Sequence, residues 1–440
     1  MMNNNISNVG MFVSKYPEKK IQNLARYLNK ENLTKSFYKL KKGKAVGIDG
    51  ITIEEYEANL EENINNLYKR LVNMTYKPKP SKRIYIPKPG SNKKRPLGIP
   101  CLEDKMVQYV LANVLNQIYE PMFIEQSYGF RPNRNCHQAI VYLRNTIVTR
   151  KVNYIVDADI KGFFDNINHE YLIKCLEHRI DDKRFIEIIR RFLTSGIIEN
   201  EMYYETHKGT PQGGIVSPIL ANIYLHFIQD AWIEKAVKPH CRGEVYYVRY
   251  ADDSIVCFQY KEDAQKYFNS FKLRLTRFGL EVAEDKTRII QFGRFAQSEM
   301  RKHGIKGKPS TFAFLGFTFY CSSTKSTNKF TVKLKTDSKK LNAKKRKMTE
   351  WLKKVRHHEV KSIIDRINRS LRGHYQYYGV SDNIKCMSRF RNHIIYMLFK
   401  VLRSRGNRHR LTWETFLNKI LRFYPILRPT IHLRLYKDTI

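Results

Sequence analysis

Paired cysteines are missing from this chain. Its seven cysteines (Cys101, Cys136, Cys175, Cys241, Cys257, Cys321 and Cys386) are scattered, and no two stand in a C-x-x-C arrangement. That excludes a zinc ribbon or finger and leaves no disulfide framework. No apolar run approaches the roughly 20 residues that a membrane-spanning helix needs. The opening Met1-Met2-Asn3-Asn4-Asn5 is polar and has no secretory core. A reduced, intracellular setting is therefore expected, bacterial-type cytoplasmic and nucleoid-associated, with no membrane partner. There is no internal repeat, and no low-complexity tract beyond the Asn-rich start. Acids are scarce too: 41 Asp and Glu stand against 80 Lys and Arg, a formal charge of +39. From Lys333 to the end, 28 bases face 7 acids. A merely solvated surface mixes the two signs, whereas so uneven an excess calls for a polyanion, which points to nucleic acid.

Against that basic background, two adjacent acids stand out in Tyr250-Ala251-Asp252-Asp253. Val245-Tyr246-Tyr247-Val248 precedes them and Ser254-Ile255-Val256-Cys257-Phe258 follows, which reads as a β-hairpin with carboxylates at its tip. Two anions at one spot resist joint ionisation unless a cation neutralises them. A divalent metal with oxygen ligands is the obvious candidate. Asp159 supplies a third acid, at the end of the strand-like Asn153-Tyr154-Ile155-Val156-Asp157-Ala158-Asp159-Ile160. Asp157, two residues earlier on the same strand face, competes with it. Shared carboxylates holding two metals about 4 Å apart are what templated nucleotidyl transfer requires.

The 440 residues allow two or three domains. Residues 1 to about 80 read as amphipathic helices broken by the turn Gly47-Ile48-Asp49-Gly50, with Thr52 as a helix cap and the Glu spacing short of a full capping box. A basic β-hairpin follows, Ile84–Pro87 with Leu97–Pro100, then helices at 103–118 and 135–150. The centre alternates a strand (153–160), helices (168–178, 183–195), a glycine-rich turn (209–214), a helix (217–235) and the acidic hairpin. A helix (263–278) and strands (281–292, 312–320, 329–334) complete it, an α+β pattern with helices on one face of the sheet. After about 335 only basic helices are expected. Ile363, Ile364, Ile367 and Leu371 form one core stripe, and Trp413, Phe416, Leu417 and Ile420 another.

Eight motifs in order carry a resemblance to a known family. They are Ile86-Pro87-Lys88-Pro89, Arg95-Pro96-Leu97-Gly98-Ile99-Pro100, Tyr128-Gly129-Phe130-Arg131-Pro132, Asp159-Ile160-Lys161-Gly162-Phe163-Phe164-Asp165, Pro211-Gln212-Gly213-Gly214 with Ser217-Pro218, Tyr250-Ala251-Asp252-Asp253, Gly279-Leu280 with Lys286-Thr287, and Phe314-Leu315-Gly316-Phe317. A maturase-like stretch, Ile367-Asn368-Arg369-Ser370-Leu371-Arg372-Gly373-His374-Tyr375-Gln376-Tyr377-Tyr378, follows them. The chain resembles group II intron-encoded reverse transcriptases, also called maturases, over nearly its whole length. The resemblance implies a right-hand polymerase, with an N-terminal extension and the start of the fingers (1–80), fingers and an antiparallel palm (81–334) and a helical thumb/maturase domain (335–440). It implies an RNA-directed DNA polymerase that copies intron RNA into cDNA from dNTPs and binds that RNA to assist splicing and mobility. Its partners would be the intron RNA, an RNA template/DNA primer duplex and target DNA.

Site roles come with the resemblance. Asp159, Ile160, Asp252 and Asp253 become the metal-binding positions for two Mg²⁺, with Mn²⁺ able to substitute. Asp159 is preferred to Asp157 because Phe164 then falls five residues later, where the family places its sugar-sensing aromatic. A bulky ring under the ribose collides with a 2′-hydroxyl, which selects dNTPs; one of Phe163 and Phe164 is then core packing. Lys88 and Arg95 would clamp the triphosphate. Gln212 would contact the nucleotide, while Gly213 and Gly214 let backbone approach closely. Lys286 resembles the residue that protonates leaving pyrophosphate, and Phe314, Leu315, Gly316 and Phe317 the turn that grips the primer. Arg131 would contact template or brace its own loop. Arg369, Arg372 and Tyr375, with His374, Tyr377 and Tyr378, combine cations and stacking surfaces suited to RNA.

One departure bears on mobility. Many relatives carry a DNA-binding segment and a Cys/His endonuclease domain after the maturase region, whereas here the C-terminal region holds only Cys386. The ending Arg422-Phe423-Tyr424-Pro425 resembles endonuclease-lacking lineages, thought to prime from existing DNA 3′ ends. Two other functions stay open: a splicing-only RNA-binding maturase, and a reverse transcriptase repurposed for phage defence, a retron or CRISPR adaptation. The intact acids, Gln212 and Lys286 argue against the first, and the maturase-like end against the second. Phe164 and the alanine of the acidic turn argue against an RNA virus polymerase.

Overall fold

A computed structural model describes residues 5–87, 94–324, 327–405 and 411–435. They form two compact units. The first is built from the described residues of 1–88, 93–142 and 154–289, the second from those of 143–153 and 290–440.

The first unit opens with helices Ser7–Lys15, Lys30–Lys39, Ile53–Ala58 and Leu60–Val72. Thr52 caps Ile53–Ala58 with a full capping box: its Oγ1 accepts from the Glu55 N–H at 3.2 Å, and Glu55 Oε2 accepts from the Thr52 N–H at 2.9 Å. The shortfall expected from the sequence is thereby corrected. The helix starts at Ile53, so Glu55 occupies its third position, where the reciprocal bond forms.

Strand β1 (Ser81–Pro87) pairs antiparallel with β2 (Lys94–Ile99), Ile84 facing Leu97. This is the basic hairpin, longer than expected; Lys88 and the rest of its connection lie outside the described residues. Helices Leu102–Tyr119 and Cys136–Thr149 precede β3 (Tyr154–Ala158), and His169–Glu177 and Lys183–Leu193 follow it. A hairpin absent from the sequence reading comes next, β4 (Ile197–Glu199) with β5 (Met202–Tyr204). Its turn residues Asn200 and Glu201 both have left-handed φ, 49° and 66°. No glycine marks that turn, so the usual Asn-Gly signal is missing. These strands form one sheet in the order β2-β1-β4-β5.

The expected helix over 217–235 is regular only across Ser217–Leu225; His226–Asp230 and Ile233–Val237 are π-wound. Strands β6 (Val245–Tyr250) and β7 (Asp253–Phe258) form the acidic hairpin, in a sheet ordered β6-β7-β3-β8 with β8 at Arg288–Gln291. The strand expected over 281–292 shortens to β8. Residues 281–287 instead run beside 159–161, the Ala283 N–H donating to the Asp159 carbonyl at 2.8 Å and the Lys161 N–H to the Glu281 carbonyl at 2.8 Å. Ile155, Val156, Ile255, Val256 and Phe258 are buried to 1% exposure or less. Such unbroken apolar strands are sheltered on both faces.

In the second unit β9 (Phe312–Phe314), β10 (Phe317–Ser323) and β11 (Phe330–Thr336) make an antiparallel sheet in the order β11-β10-β9. Helices Ser338–Lys354, Val360–Tyr378 and Ile384–Arg403 follow. Ile363, Ile364, Ile367 and Leu371 share their core with Met387, Phe390, Ile394 and Leu398, as the helical spacing predicted. The second stripe is corrected. Phe416 is buried and Ile420 half-buried, whereas Leu417, within the π-wound Phe416–Leu421, is exposed, and Trp413 stays at the rim against Phe399 and Phe416. Sheets that are largely antiparallel, with one parallel pair between β1 and β4, together with the helices match the expected α+β class. Among the described residues no helix is long and apolar enough to cross a membrane.

Candidate active site

Strand register brings the acids together. Tyr250 faces Asp253 across the β6–β7 hairpin, so Ala251 and Asp252 form its two-residue tip. On the other side of β7, Ala158 faces Ser254. One residue further along each antiparallel strand, Asp159 therefore comes alongside Asp253 at the same end of the sheet. Ala251 holds a left-handed φ of 56°, a conformation that costs an alanine about 1–2 kcal/mol. The turn is thus held by its surroundings.

Charge at this sheet end is unevenly shared. Burial pushes the Asp252 carboxyl above its ordinary range and the Asp159 charge adds to that, against a main-chain hydrogen bond and the charges of Arg95 and Arg249. Lys286 Nζ lies 2.6 Å from Asp159 Oδ2. That hydrogen bond holds the ammonium above its usual value, outweighing desolvation. Asp157 behaves differently. Burial pushes it up to about 6 despite Arg288, whose NH2 is 3.6 Å away. It lies within β3, facing Ile255, while Asp159 stands past the strand end.

The donor set fits a magnesium site in kind. Asp159, Asp252 and Asp253 offer carboxylate oxygens, and Ile160, 3% exposed, can add only its main-chain carbonyl; these are the hard oxygen donors that Mg²⁺ takes. The arrangement is not closed round a metal, however. Lys286 occupies Asp159, and among the described residues no three or more His, Cys, Asp or Glu converge on one point. Lys286 engages Oδ2 of Asp159 and so competes with a metal for that oxygen.

Phe163 and Phe164 divide as expected of the pair: Phe163 is 2% exposed in the core and Phe164 only partly buried. The Phe164 ring packs edge-on against Phe130, centroids 6.4 Å apart. Its carbonyl accepts from the Thr210 N–H at 2.8 Å, which ties it to the glycine-rich turn. In that turn Gln212 Nε2 donates to Asp165 Oδ1 at 3.1 Å. Gly213 has φ 119°, and a Cβ there would sit 2.3 Å from the Gly98 carbonyl oxygen, so a side chain is excluded. Arg95 is exposed on β2 opposite Ile86, and its charge reaches Asp252. Lys88 lies outside the described residues.

Arg131 is turned inward. Its guanidinium donates to the Glu120 carboxylate at 2.9–3.1 Å and to the Ile124 and Ser127 carbonyls at 2.6 and 2.7 Å. With its side chain 3% exposed, it braces its loop and has no face for RNA.

In the second unit, Phe314, Gly316 and Phe317 are buried, so of this turn only Leu315 is left half-buried at the surface. Leu315 and Gly316 both have left-handed φ, 48° and 82°. Tyr377 OH donates to the Leu315 carbonyl at 2.7 Å, and its ring stacks on Phe317 at 5.8 Å. Arg369 and Arg372 are exposed on helix Val360–Tyr378. Tyr375 is not: it is 2% exposed, and its hydroxyl donates to the Leu427 carbonyl at 3.2 Å. The RNA-facing role expected for Tyr375 is corrected to helix packing, since its position on the stripe of Leu371 turns it inward.

Sequence reasoning missed Arg249. A lone cation at the end of the apolar run that leads into the acidic turn was the available signal, and the structure buries it fully.

Comparison with known proteins identifies the family. Residues 86–319 match the family described as "Reverse transcriptase (RNA-dependent DNA polymerase)". The chain is 40% identical over 216 residues to the group II intron-encoded protein LtrA of Lactococcus lactis subsp. cremoris, covering 49% of this chain and 36% of that protein. It is 30% identical over 468 aligned positions to a 91 kDa protein in the cob intron of Schizosaccharomyces pombe, covering 91% of this chain and 55% of that one. Nuclear intron maturase 2, mitochondrial, of Arabidopsis thaliana is 25% identical over 180 residues, 32% of this chain and 24% of the maturase. The chain thus spans between about a quarter and about half of these curated relatives.

Proposed function

This chain belongs to the reverse transcriptase family, and on that premise we propose that it copies group II intron RNA into cDNA from dNTPs and binds that RNA to assist splicing. The observation that carries the proposal is the register that sets Asp159 beside Asp253, with Asp252 in the adjoining turn.

Asp159, Asp252 and Asp253 would hold two Mg²⁺, which supply charge neutralisation at the triphosphate and a more acidic primer hydroxyl. In the reaction the primer 3′-oxygen bonds to the α-phosphorus, the bond to pyrophosphate breaks, and the hydroxyl proton is lost. Lys286, kept protonated by its surroundings, would give a proton to the departing pyrophosphate. Arg95 would bind the triphosphate. Phe164, tied to the Thr210 N–H and backed by Phe130, would exclude the ribose 2′-hydroxyl. Gln212 and the close-packed Gly213 would line the nucleotide's path. On the second unit, the exposed Arg369 and Arg372 would meet RNA phosphates, and the Leu315-Gly316 turn the primer.

Primer extension on an RNA template with Mg²⁺ tests the reading. Extension with dNTPs but not NTPs, abolished in Asp252→Ala/Asp253→Ala while intron RNA binding persists, supports it. Tight RNA binding without any extension would favour a dedicated splicing cofactor instead.

A further inference from the structure

Beneath the acidic turn lies a buried network that the reaction itself does not use. Arg249 is fully buried, and its guanidinium grips Asp230 with two parallel bonds, Nε to Oδ1 at 2.7 Å and NH2 to Oδ2 at 2.6 Å. Its NH1 donates to Asn222 Oδ1 at 2.9 Å and to the Ala251 carbonyl at 3.0 Å. Tyr247 OH donates to Asp230 Oδ1 at 2.9 Å, and His226 Nδ1 stands 3.8 Å from Oδ2. Asn222 Nδ2 in turn donates to the Gly129 carbonyl at 2.7 Å. Gly129 presses on the turn from outside: a Cβ there would lie 2.1 Å from the Ala251 nitrogen.

We infer that Arg249, anchored by Asp230 and Asn222, is a positioning residue that holds the Ala251-Asp252 tip in its left-handed geometry and thereby aims Asp252 and Asp253 at the metal. The inference rests on the polymerase reading above. Three observations carry it. Ala251 adopts a φ that alanine disfavours, and its carbonyl is fixed by Arg249. The main chain of Arg249 is also locked, its N–H donating to the Gln126 carbonyl at 2.9 Å and its carbonyl accepting from the Tyr128 N–H at 2.8 Å. Finally, Asn222 and Asp230 are eight residues apart, which in a straight α-helix leaves them about 80° out of line. The π-wound His226–Asp230 turns less per residue and brings both side chains to Arg249; such segments recur at functional sites.

Stability alone is a weak reason for the pair, because a buried ion pair can often be replaced by apolar residues without loss. That supplies the test. Asp230→Leu/Arg249→Met removes both charges together, and a cooperative thermal melt reports whether it folds. Mn²⁺ binding is then titrated by electron paramagnetic resonance in the full chain with template-primer and dNTP, alongside primer extension at rising Mg²⁺. The folded double variant should bind Mn²⁺ about 10- to 100-fold more weakly and need correspondingly more Mg²⁺, as loss of groups supporting metal ligands does elsewhere. Template-primer affinity should stay as in the unaltered protein. A folded double variant with unaltered Mn²⁺ binding and Mg²⁺ dependence overturns the inference. Should it fail to fold, Arg249→Lys, which keeps the charge facing Asp230 but cannot span Asn222 and Ala251 together, is measured in the same way with the same two outcomes. An unaltered protein that binds Mn²⁺ through Asp252 and Asp253 yet extends nothing would defeat the polymerase reading and leave the positioning result standing.

Discussion

Lys286 Nζ rests 2.6 Å from Asp159 Oδ2, so a cation from the chain itself sits on the carboxylate expected to ligate metal. The segment bearing Lys286 is carried there by hydrogen bonds between 281–283 and 159–161. Its raised pKa keeps the proton through neutral pH. Lys286→Ala should lower the rate of nucleotide addition by about 10²- to 10⁴-fold, the usual weight of general acid catalysis. Template-primer affinity should hold. Single-turnover extension distinguishes the two, and an unchanged rate would remove Lys286 from the chemistry.

Phe164 should set sugar choice. Shortening it to Val opens the space beside Phe130 and leaves the main-chain bond to Thr210 in place. Discrimination of dNTPs over NTPs, read as the ratio of kcat/KM values, should fall by on the order of 100-fold, about what an apolar pocket yields against one added hydroxyl. An unaltered ratio would assign the gate to another residue.

Tyr377→Phe removes one hydroxyl. It frees the Leu315 carbonyl and keeps the ring on Phe317. Stability should drop by about 0.5–1.5 kcal/mol, measured by urea unfolding. Primer-template should dissociate faster, because the left-handed turn loses its brace. A loss of stability with no change in dissociation would separate this turn from the primer.

Asp104 carries a pH signature. Burial raises its carboxyl to about 7, although the Tyr76 hydroxyl and the Lys79 N–H, both hydrogen-bonded to it, pull the other way. A carboxyl raised on folding favours the protonated form in the native state. Its contribution to stability is therefore complete below pH about 4 and is lost as pH rises through about 7. The swing is on the order of 4 kcal/mol, from 1.36 kcal/mol per pKa unit. Asp104→Asn should flatten the pH dependence of Tm across that window, and a parallel curve for the variant would refute the assignment.

Much of the candidate site was legible because the chemistry proposed for it demands unusual local patterns. Adjacent acids between two apolar runs announce a turn that must be neutralised, and Gly213 sits where no Cβ fits. Alternation and helical spacing likewise located the basic and acidic hairpins and the stripe from Ile363 to Leu371, since burial of one face leaves its period in the sequence. The Asn200-Glu201 turn escaped because left-handed residues other than glycine carry little signal. Tyr375, expected to face RNA, packs inward, and Arg131 takes the loop-bracing one of its two expected roles. A basic or aromatic residue in a motif looks alike whether it faces RNA or the interior, and only packing decides.

Sequence alone determined that this chain makes a strongly basic α+β protein with paired acids on a hairpin, because charge, period and order of motifs are properties of a line. Tertiary structure decided which of Asp157 and Asp159 stands at the sheet end, that Lys286 reaches Asp159, and that Asp230 lies under the acidic turn. Each of those depends on strand register or helix winding between residues distant in the chain, and a shift of one residue in either would send the same side chains elsewhere.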